Sequence, residues 1–324
     1  MLMKRKPIIS ISALAIGVTM LASCASANYK VSFSNYWFED SDIPTETTEV
    51  LTYDVLFDEG QGLSGKNYTL DYSNGVYTTT FKTIEENGKK FYRLESLLTI
   101  DVTYTYNGVT SEVLSDRVAT RVDFEKDVAL TPIQSHKEVL SHSPSQNASS
   151  LESCYTAIHY AVDVTYNGAS GTASIDNLSD SKPVSNHSFE IEDTDEYNYL
   201  DNEQLLFALR GINPAQASTP SFLVYAPFTK AVQTMQASFG SKISGEKFTF
   251  KQNGEDTASE KTLDYYSVTL ALQEKNPGFS QTVKIATHTN PKANQTRNVI
   301  LEMKTPLSYN LGTLTYTLNN AQFF

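Results

Sequence analysis

The chain has 324 residues, 37 of them Asp or Glu against 25 Lys or Arg, for a formal net charge of −12. An acidic chain repels phosphate backbones and anionic lipid, which excludes nucleic acid as a partner and electrostatic docking on a membrane; this length is enough to bury a large core without disulfides. Tyr (19) and Phe (16) are plentiful, Trp occurs once, and Thr is common, a composition suited to pleated, half-buried sheet.

At the start of the chain, Lys4, Arg5 and Lys6 precede an uncharged, largely apolar run from Pro7 to Leu21. That run is shorter than the about 20 residues a spanning helix needs and it ends in small side chains, the pattern of a signal peptide at 1–23. The order Leu21-Ala22-Ser23-Cys24 resembles the lipobox of bacterial lipoprotein signal peptides. The resemblance implies cleavage between Ser23 and Cys24 and a diacylglyceryl thioether on Cys24. It also implies an extracytoplasmic protein held to the bacterial cell membrane by that lipid. Each buried CH₂ contributes about 0.8 kcal/mol, so two acyl chains hold where one is marginal. The alternative is an ordinary secretory signal with Cys24 incidental. Loss of 1–23 removes three basic residues and no acid, taking the net charge from −12 to −15. Cys154 then has no partner and reads as a buried free thiol.

Residues 24–48 read as a tether, interrupted by Tyr36-Trp37-Phe38, and 49–324 as one β-rich domain. From Glu49 the period is two: Leu51, Tyr53, Val55 and Phe57 share a face. Asn74-Gly75, between Tyr68–Tyr72 and Val76–Phe81, is a hairpin signal. The clearest strand is 91–106, where Tyr92, Leu94, Leu98, Ile100, Val102, Tyr104 and Tyr106 share one face and Ser96 is the single polar exception. At about 3.3 Å per residue it is long enough to twist strongly, which points to a curved sheet.

Asn107-Gly108 turns the chain. A plain two-residue turn pairs Leu98 with Arg117 and sets Arg117 and Arg121 on the apolar face as a basic, ligand-binding element. A one-residue bulge instead brings in Leu114, Val118, Val122 and Phe124 and turns both arginines out. The cost of burying unpaired charge favours the bulge. The first register makes Arg117 and Arg121 the candidate ligand-binding residues.

Asp163-Val164-Thr165-Tyr166 before Asn167-Gly168 echoes Asp101-Val102-Thr103-Tyr104 before Asn107-Gly108. Stretches 141–150 and 176–196 read as loops, the second acidic. Asp201 and Gln204 have capping-box spacing ahead of Leu205, Leu206, Ala208 and Leu209, and Gly211 and Pro214 stop the helix, predicting helix over 201–210. The stretch 228–239 is ambiguous between helix and strand. Gly240, Gly245, Asn253-Gly254 and Pro277-Gly278 read as turns between further alternating strands. The fold class expected is mainly β: a large curved antiparallel sheet or half-barrel with one or two short helices packed on it.

Leu51-Thr52-Tyr53-Asp54-Val55, Val122-Asp123-Phe124 with Leu130, Pro132 and Lys137, and Asp201 to Arg210 resemble signposts of a bacterial envelope family of unknown function. That family is a curved antiparallel sheet similar to lipoprotein-carrier half-barrels, and the resemblance implies a concave apolar face and no known catalytic residues.

Motifs for chemistry are absent. His136, His142, His159, His187 and His288 have no zinc-site spacing and read as surface residues, His136 and His142 bordering loops. Gly168-Ala169-Ser170-Gly171 misses a nucleophile elbow by one position, and Ser244-Gly245-Glu246-Lys247 lacks the helix and the Lys-Thr-Gly partner of a Ser-x-x-Lys enzyme. No cofactor, metal or catalytic residue is expected. Two functions follow: a non-catalytic surface protein binding an apolar or amphipathic ligand or an envelope protein, or a cell-wall or glycan-active enzyme built on paired carboxylates.

Overall fold

The structure is a computed structural model, and it describes residues 30–33, 48–179, 183–273, 280–287 and 298–324. The first half of the domain contributes β1 (Thr48–Glu59), β2 (Tyr68–Glu86), β3 (Lys89–Tyr106), β4 (Val109–Thr110), β5 (Leu114–Glu125), β6 (Pro132–Pro144), β7 (Tyr155–Asn167), β8 (Ser170–Asn177), β9 (Ser185–Glu190) and β10 (Asn198–Leu200). A 3₁₀ turn, Asn202–Gln204, runs into helix α1 (Leu205–Leu209). Then come β11 (Ser221–Ala226), β12 (Ala231–Gln252), β13 (Ser259–Leu272), β14 (Ser280–Ala286), β15 (Ile300–Pro306) and β16 (Gly312–Phe323).

Among the described residues these strands form one sheet, ordered β10-β11-β12-β13-β14-β15-β16-β1-β2-β3-β5-β6-β7-β8-β9, with β4 on the end of β3. The ladders are antiparallel except at β10–β11 and where the far end of β12 reaches across to β16. That second contact, Lys251 to Asn320 and Gln252 to Ala321, curls β12–β16 into a near-closed half. The other half rolls until side chains of β7–β9 meet β11. Phe189 stacks on Tyr225 at 3.9 Å, and Val162, Val164, Ile191 and Leu223 pack around them. The sheet thus closes on itself at this seam through side chains.

The inner face follows the alternation. Leu51, Tyr53, Val55, Leu94, Ile100, Val122 and Phe124 are buried in the main core together with Leu205, Phe207, Ala208 and Leu209 of α1. Farther along β2 and β3, Tyr68, Leu70, Val102 and Tyr104 form a second cluster with Ala148 and Cys154. Cys154 is buried and its thiol is free, and burial pushes its pKa up. On the outer face Arg93 and Asp123 sit opposite one another in the β3–β5 ladder. They form a two-pronged ion pair at 2.6 and 2.8 Å. Burial pushes Asp123 up, but hydrogen bonds from Arg93 and Gln134 outweigh it and hold the carboxyl below its ordinary value.

Several expectations are corrected. Ser73-Asn74-Gly75 is no hairpin but a bulge inside β2, which pairs with β3 on both sides of it. Asn74 takes a positive φ of 52°, the conformation for which Asn-Gly is suited in turns and bulges alike. A Cβ on Gly75 would lie 2.5 Å from the carbonyl oxygen of Val55, so glycine lets β1 approach the bulge. Gly240 and Gly245 likewise mark irregular stretches of the long β12, not turns, and 228–239 runs into that strand. The stretch 176–196 contains β9 rather than loop alone, and 141–144 belong to β6. His136 and His142 lie within β6 rather than beside loops.

The two echoed hairpins use the same dipeptide differently. Asn107 and Gly108 both take positive φ, whereas at the second only Gly168 does, so the turns differ in type. Cys24, Ser23, the aromatic trio at 36–38, Pro277-Gly278 and His288 lie outside the described residues. The presumed tether is not tether throughout. Phe33 is fully buried against Phe222 at 5.7 Å, and the Val31 amide donates to Asn198.

A fully buried ion pair joins Glu49, at the start of β1, to Arg210, at the end of α1. The guanidinium donates to both carboxylate oxygens at 2.8 Å and to the Asn298 carbonyl at 3.0 Å. Removing one partner of such a pair strands the other charge in the core. Arg210→Met is expected to cost about 3–5 kcal/mol, read as a lowered urea midpoint, and Glu49→Gln added to it should restore much of the loss. Equal destabilisation of the single and double variants would show that packing, not charge, sets the cost.

Candidate functional site

A cleft of about 350 Å³ opens on the concave face. Its floor is β1, β2, β3, β5 and β6, its side is α1, and its far wall is β12–β16, through Met235, Leu270, Ile300, Met303 and Tyr316. Most of the lining is apolar: Leu51, Leu94, Leu98, Val118, Leu205, Leu206 and Phe207. A second cavity of about 290 Å³, against Tyr160, Val162, Val224 and Phe228, lies on the other side of Lys137 and Glu203. Lys137, Asn202, Glu203 and Met235 border both spaces.

The floor carries one polar stripe. Thr79 of β2 is opposite Ser96 of β3, Ser96 opposite Thr120 of β5, and Thr120 opposite Lys137 of β6. Cross-strand partners face the same side, so three hydroxyls and an ammonium form a row across the strands. Two residues to one side lie Tyr77, Leu98 and Val118; two to the other lie Phe81, Leu94 and Val122. Ser96 and Thr120 hydrogen-bond to each other at 2.7 Å.

Lys137 donates to Glu203 at 2.9 Å, and the charge of Glu203 holds the ammonium pKa above its ordinary value. Asn202 donates to the same carboxylate oxygen at 3.0 Å. One step back, Asp201 caps the helical segment as expected, accepting from the Glu203 amide at 2.8 Å with Gln204 closing the capping box. Its other oxygen accepts from Ser135 at 2.6 Å and Tyr166 at 2.8 Å. Burial pushes the Asp201 carboxyl up, with the Glu203 charge adding, against the pull of those hydrogen bonds. The opposite wall contributes Gln281, which donates to Thr305 at 2.7 Å.

Arg117 and Arg121, the residues proposed from sequence, are not in this cleft. The turn at Asn107-Gly108 pairs Tyr106 with Val109, but Val102 then meets Leu114 rather than Val113. The extra residue sits at 112–113, after Ser111 has bonded back to Tyr104 at 2.8 Å. That bulge puts Val118 opposite Leu98 and turns Arg117 toward Glu138 at 3.6 Å and Arg121 toward Asp123 at 3.9 Å on the outer face. The register that would have aimed the arginines inward is not formed, because it would have buried charge in place of Leu114, Val118 and Val122.

Three of the four described histidines pair with carboxylates in the sheet: His136 with Asp163 at 2.7 Å, His159 with Glu138 at 3.0 Å and His142 with Asp116 at 2.8 Å. Both ring nitrogens of the fourth, His187, are buried without a hydrogen-bond partner among the described residues. Among the described residues, no cluster of three or more His, Cys, Asp or Glu could hold a metal ion.

No protein-family model matches the chain, and no curated protein matches it. A solved β-barrel-like protein of the domain of unknown function DUF1849 from Brucella abortus is similar at a TM-score of 0.47 and 10% identity, over 86% of this chain and 98% of that one. The fold class is mainly β, a large curved antiparallel sheet with a short helix.

An acid with a raised folded-state pKa contributes stability that is complete below the ordinary carboxylate range and lost as pH rises through its folded value. Asp201→Asn keeps a capping side chain and removes the titration. The variant is therefore expected to lose less stability relative to the parent at pH 7 than at pH 4, measured as urea midpoints at both. A deficit independent of pH would mean that Asp201 ionises in the fold without cost.

Proposed function

We propose that this protein is a non-catalytic bacterial lipoprotein, held on the extracytoplasmic side of the cell membrane through Cys24, that binds an apolar or amphipathic ligand in the concave cleft. The observation that carries the binding reading is the cleft itself: a largely apolar hollow inside a rolled sheet, at a place where the alternation would otherwise build packed core. Its size is within the range of small-molecule sites, which are mostly apolar with a few placed polar groups. The net charge of −15 after loss of the leader leaves attachment to the lipid.

A glycan-active enzyme fits the cleft less well. Glycoside hydrolysis uses two carboxyl groups facing each other across the bond, about 5–10 Å apart. Glu203 borders the cleft already paired with Lys137, and Asp201 lies two residues away on the same turn, buried behind Ser135 and Tyr166.

Native mass spectrometry of the chain from Ala25 onward tests the binding reading. That chain keeps Phe33, which the core requires. The expected result is an extra mass that is lost on denaturation and missing from Leu98→Trp, which fills the cleft. A protein that flies bare, with the variant indistinguishable from it, overturns the reading.

The anchor has its own test. Cys24→Ser is expected to abolish incorporation of radiolabelled palmitate and to move the protein from the membrane fraction to the soluble one. Unchanged labelling would refute lipid attachment at Cys24.

A further inference from the structure

We propose that the ligand of this cleft is an uncharged amphiphile whose head bears hydroxyl groups, an acyl glycerol or an acyl sugar, and that the row Thr79–Ser96–Thr120 reads that head. The inference rests on the ligand-binding reading above and gives the ligand a chemical class.

Ser96 is the one break in the apolar inward pattern of β3. A hydroxyl facing an apolar interior is costly unless it is hydrogen-bonded. At this level of the sheet three adjacent strands each place one inward, in register, while the flanking rows are aliphatic or aromatic, with the Tyr77 hydroxyl as their one polar group. A purely apolar ligand would gain nothing from that stripe and would desolvate it. Each hydroxyl offers one donor and two acceptor positions. The Ser96–Thr120 bond uses one donor and one acceptor, and Ser96 also hydrogen-bonds to Tyr77. With the Thr79 hydroxyl and the remaining acceptor positions, the row retains both kinds of valence for a ligand that also donates and accepts. Alcohol groups do both; a carboxylate or phosphate only accepts at neutral pH.

Charge points the same way. An anionic head requires an available cation, and the two that border the cleft are each matched by a carboxylate: Lys137 by Glu203 at 2.9 Å and Arg210 by Glu49 at 2.8 Å. The wall facing the stripe adds an amide and a hydroxyl, Gln281 and Thr305. The polar groups of the cleft are thus neutral or internally compensated. The apolar lining on either side, and the second cavity beyond Lys137 and Glu203, accommodate an acyl chain.

The test is displacement of the neutral fluorophore N-phenyl-1-naphthylamine from the chain beginning at Ala25. Monodecanoylglycerol, decyl glucoside and decanoate, equal in chain length, are the competitors. Monodecanoylglycerol or decyl glucoside is expected to displace the probe at a concentration about tenfold or more below decanoate, the gain of one or two added hydrogen bonds. Which of the two is stronger separates a glycerol head from a sugar head. Ser96→Ala combined with Thr120→Val, close in volume to the parent side chains, should cut that preference to about twofold or less while leaving decanoate unchanged. Decanoate equal to or better than both neutral amphiphiles overturns the proposal, as does a double variant that weakens all three alike. A probe that binds neither the parent nor Leu98→Trp differently from buffer removes the ligand-binding reading itself, so the two failures are distinguishable.

Discussion

The buried pair Glu49–Arg210 is the constraint on which the arrangement depends. Both side chains are almost completely withdrawn from water, at 1% and 4% exposure. The desolvation of two such charges is offset only where geometry is good and every remaining donor is used. Here the guanidinium meets both carboxylate oxygens and the Asn298 carbonyl, and the Asn298 amide returns a bond to the Arg210 carbonyl at 3.2 Å. The start of β1, the end of α1 and the approach to β15 are therefore fixed to one point. Helical segments this short have no stability of their own; this one exists because its ends are held.

The same segment is tied along its length to different strands. Asp201 binds β6 and β7 through Ser135 and Tyr166, Glu203 binds Lys137, Gln204 donates to the Leu130 carbonyl at 2.6 Å, and Phe207 packs on Phe81 and Phe124. With both ends and the middle pinned, α1 stands at the side of the cleft without filling it. A cleft of this kind needs such a brace, since an unsupported apolar hollow collapses to recover packing.

Much of the fold was legible because inner and outer residues alternate so cleanly. The inward face of β3, the bulge after Asn107-Gly108 and the capped helix at 201 all follow from period and local chemistry. Failures arose where one signal serves two structures. Asn74-Gly75 supplies a positive φ, which a hairpin needs and a bulge needs equally, and only the continued pairing of β2 with β3 tells them apart. The site was mostly hidden. Lys137 and Glu203 are 66 residues apart and Glu49 and Arg210 are 161 apart; nothing local couples them. Ser96 carried a visible sign, as the polar exception on an apolar face, while Lys137 and the 201–210 segment stood out only through a family resemblance and a capping pattern that said nothing of their pairing.

That exception shows how a curved sheet can build both a core and a binding surface from one pattern. Alternation decides which residues face in, and bulges decide where the sheet bends. Where the rolled sheet closes on itself, the inward residues are aliphatic and aromatic and pack. Where α1 and the far wall hold the faces apart, the inward residues at one level become Thr79, Ser96, Thr120 and Lys137. Hydroxyls at this level would be a liability in a packed core and are tolerable beside a cleft that admits water or a polar ligand. The chemistry of the stripe and the brace that keeps it open are thus one feature, and the ion pairs at Glu203 and Arg210 on a single helical segment maintain both.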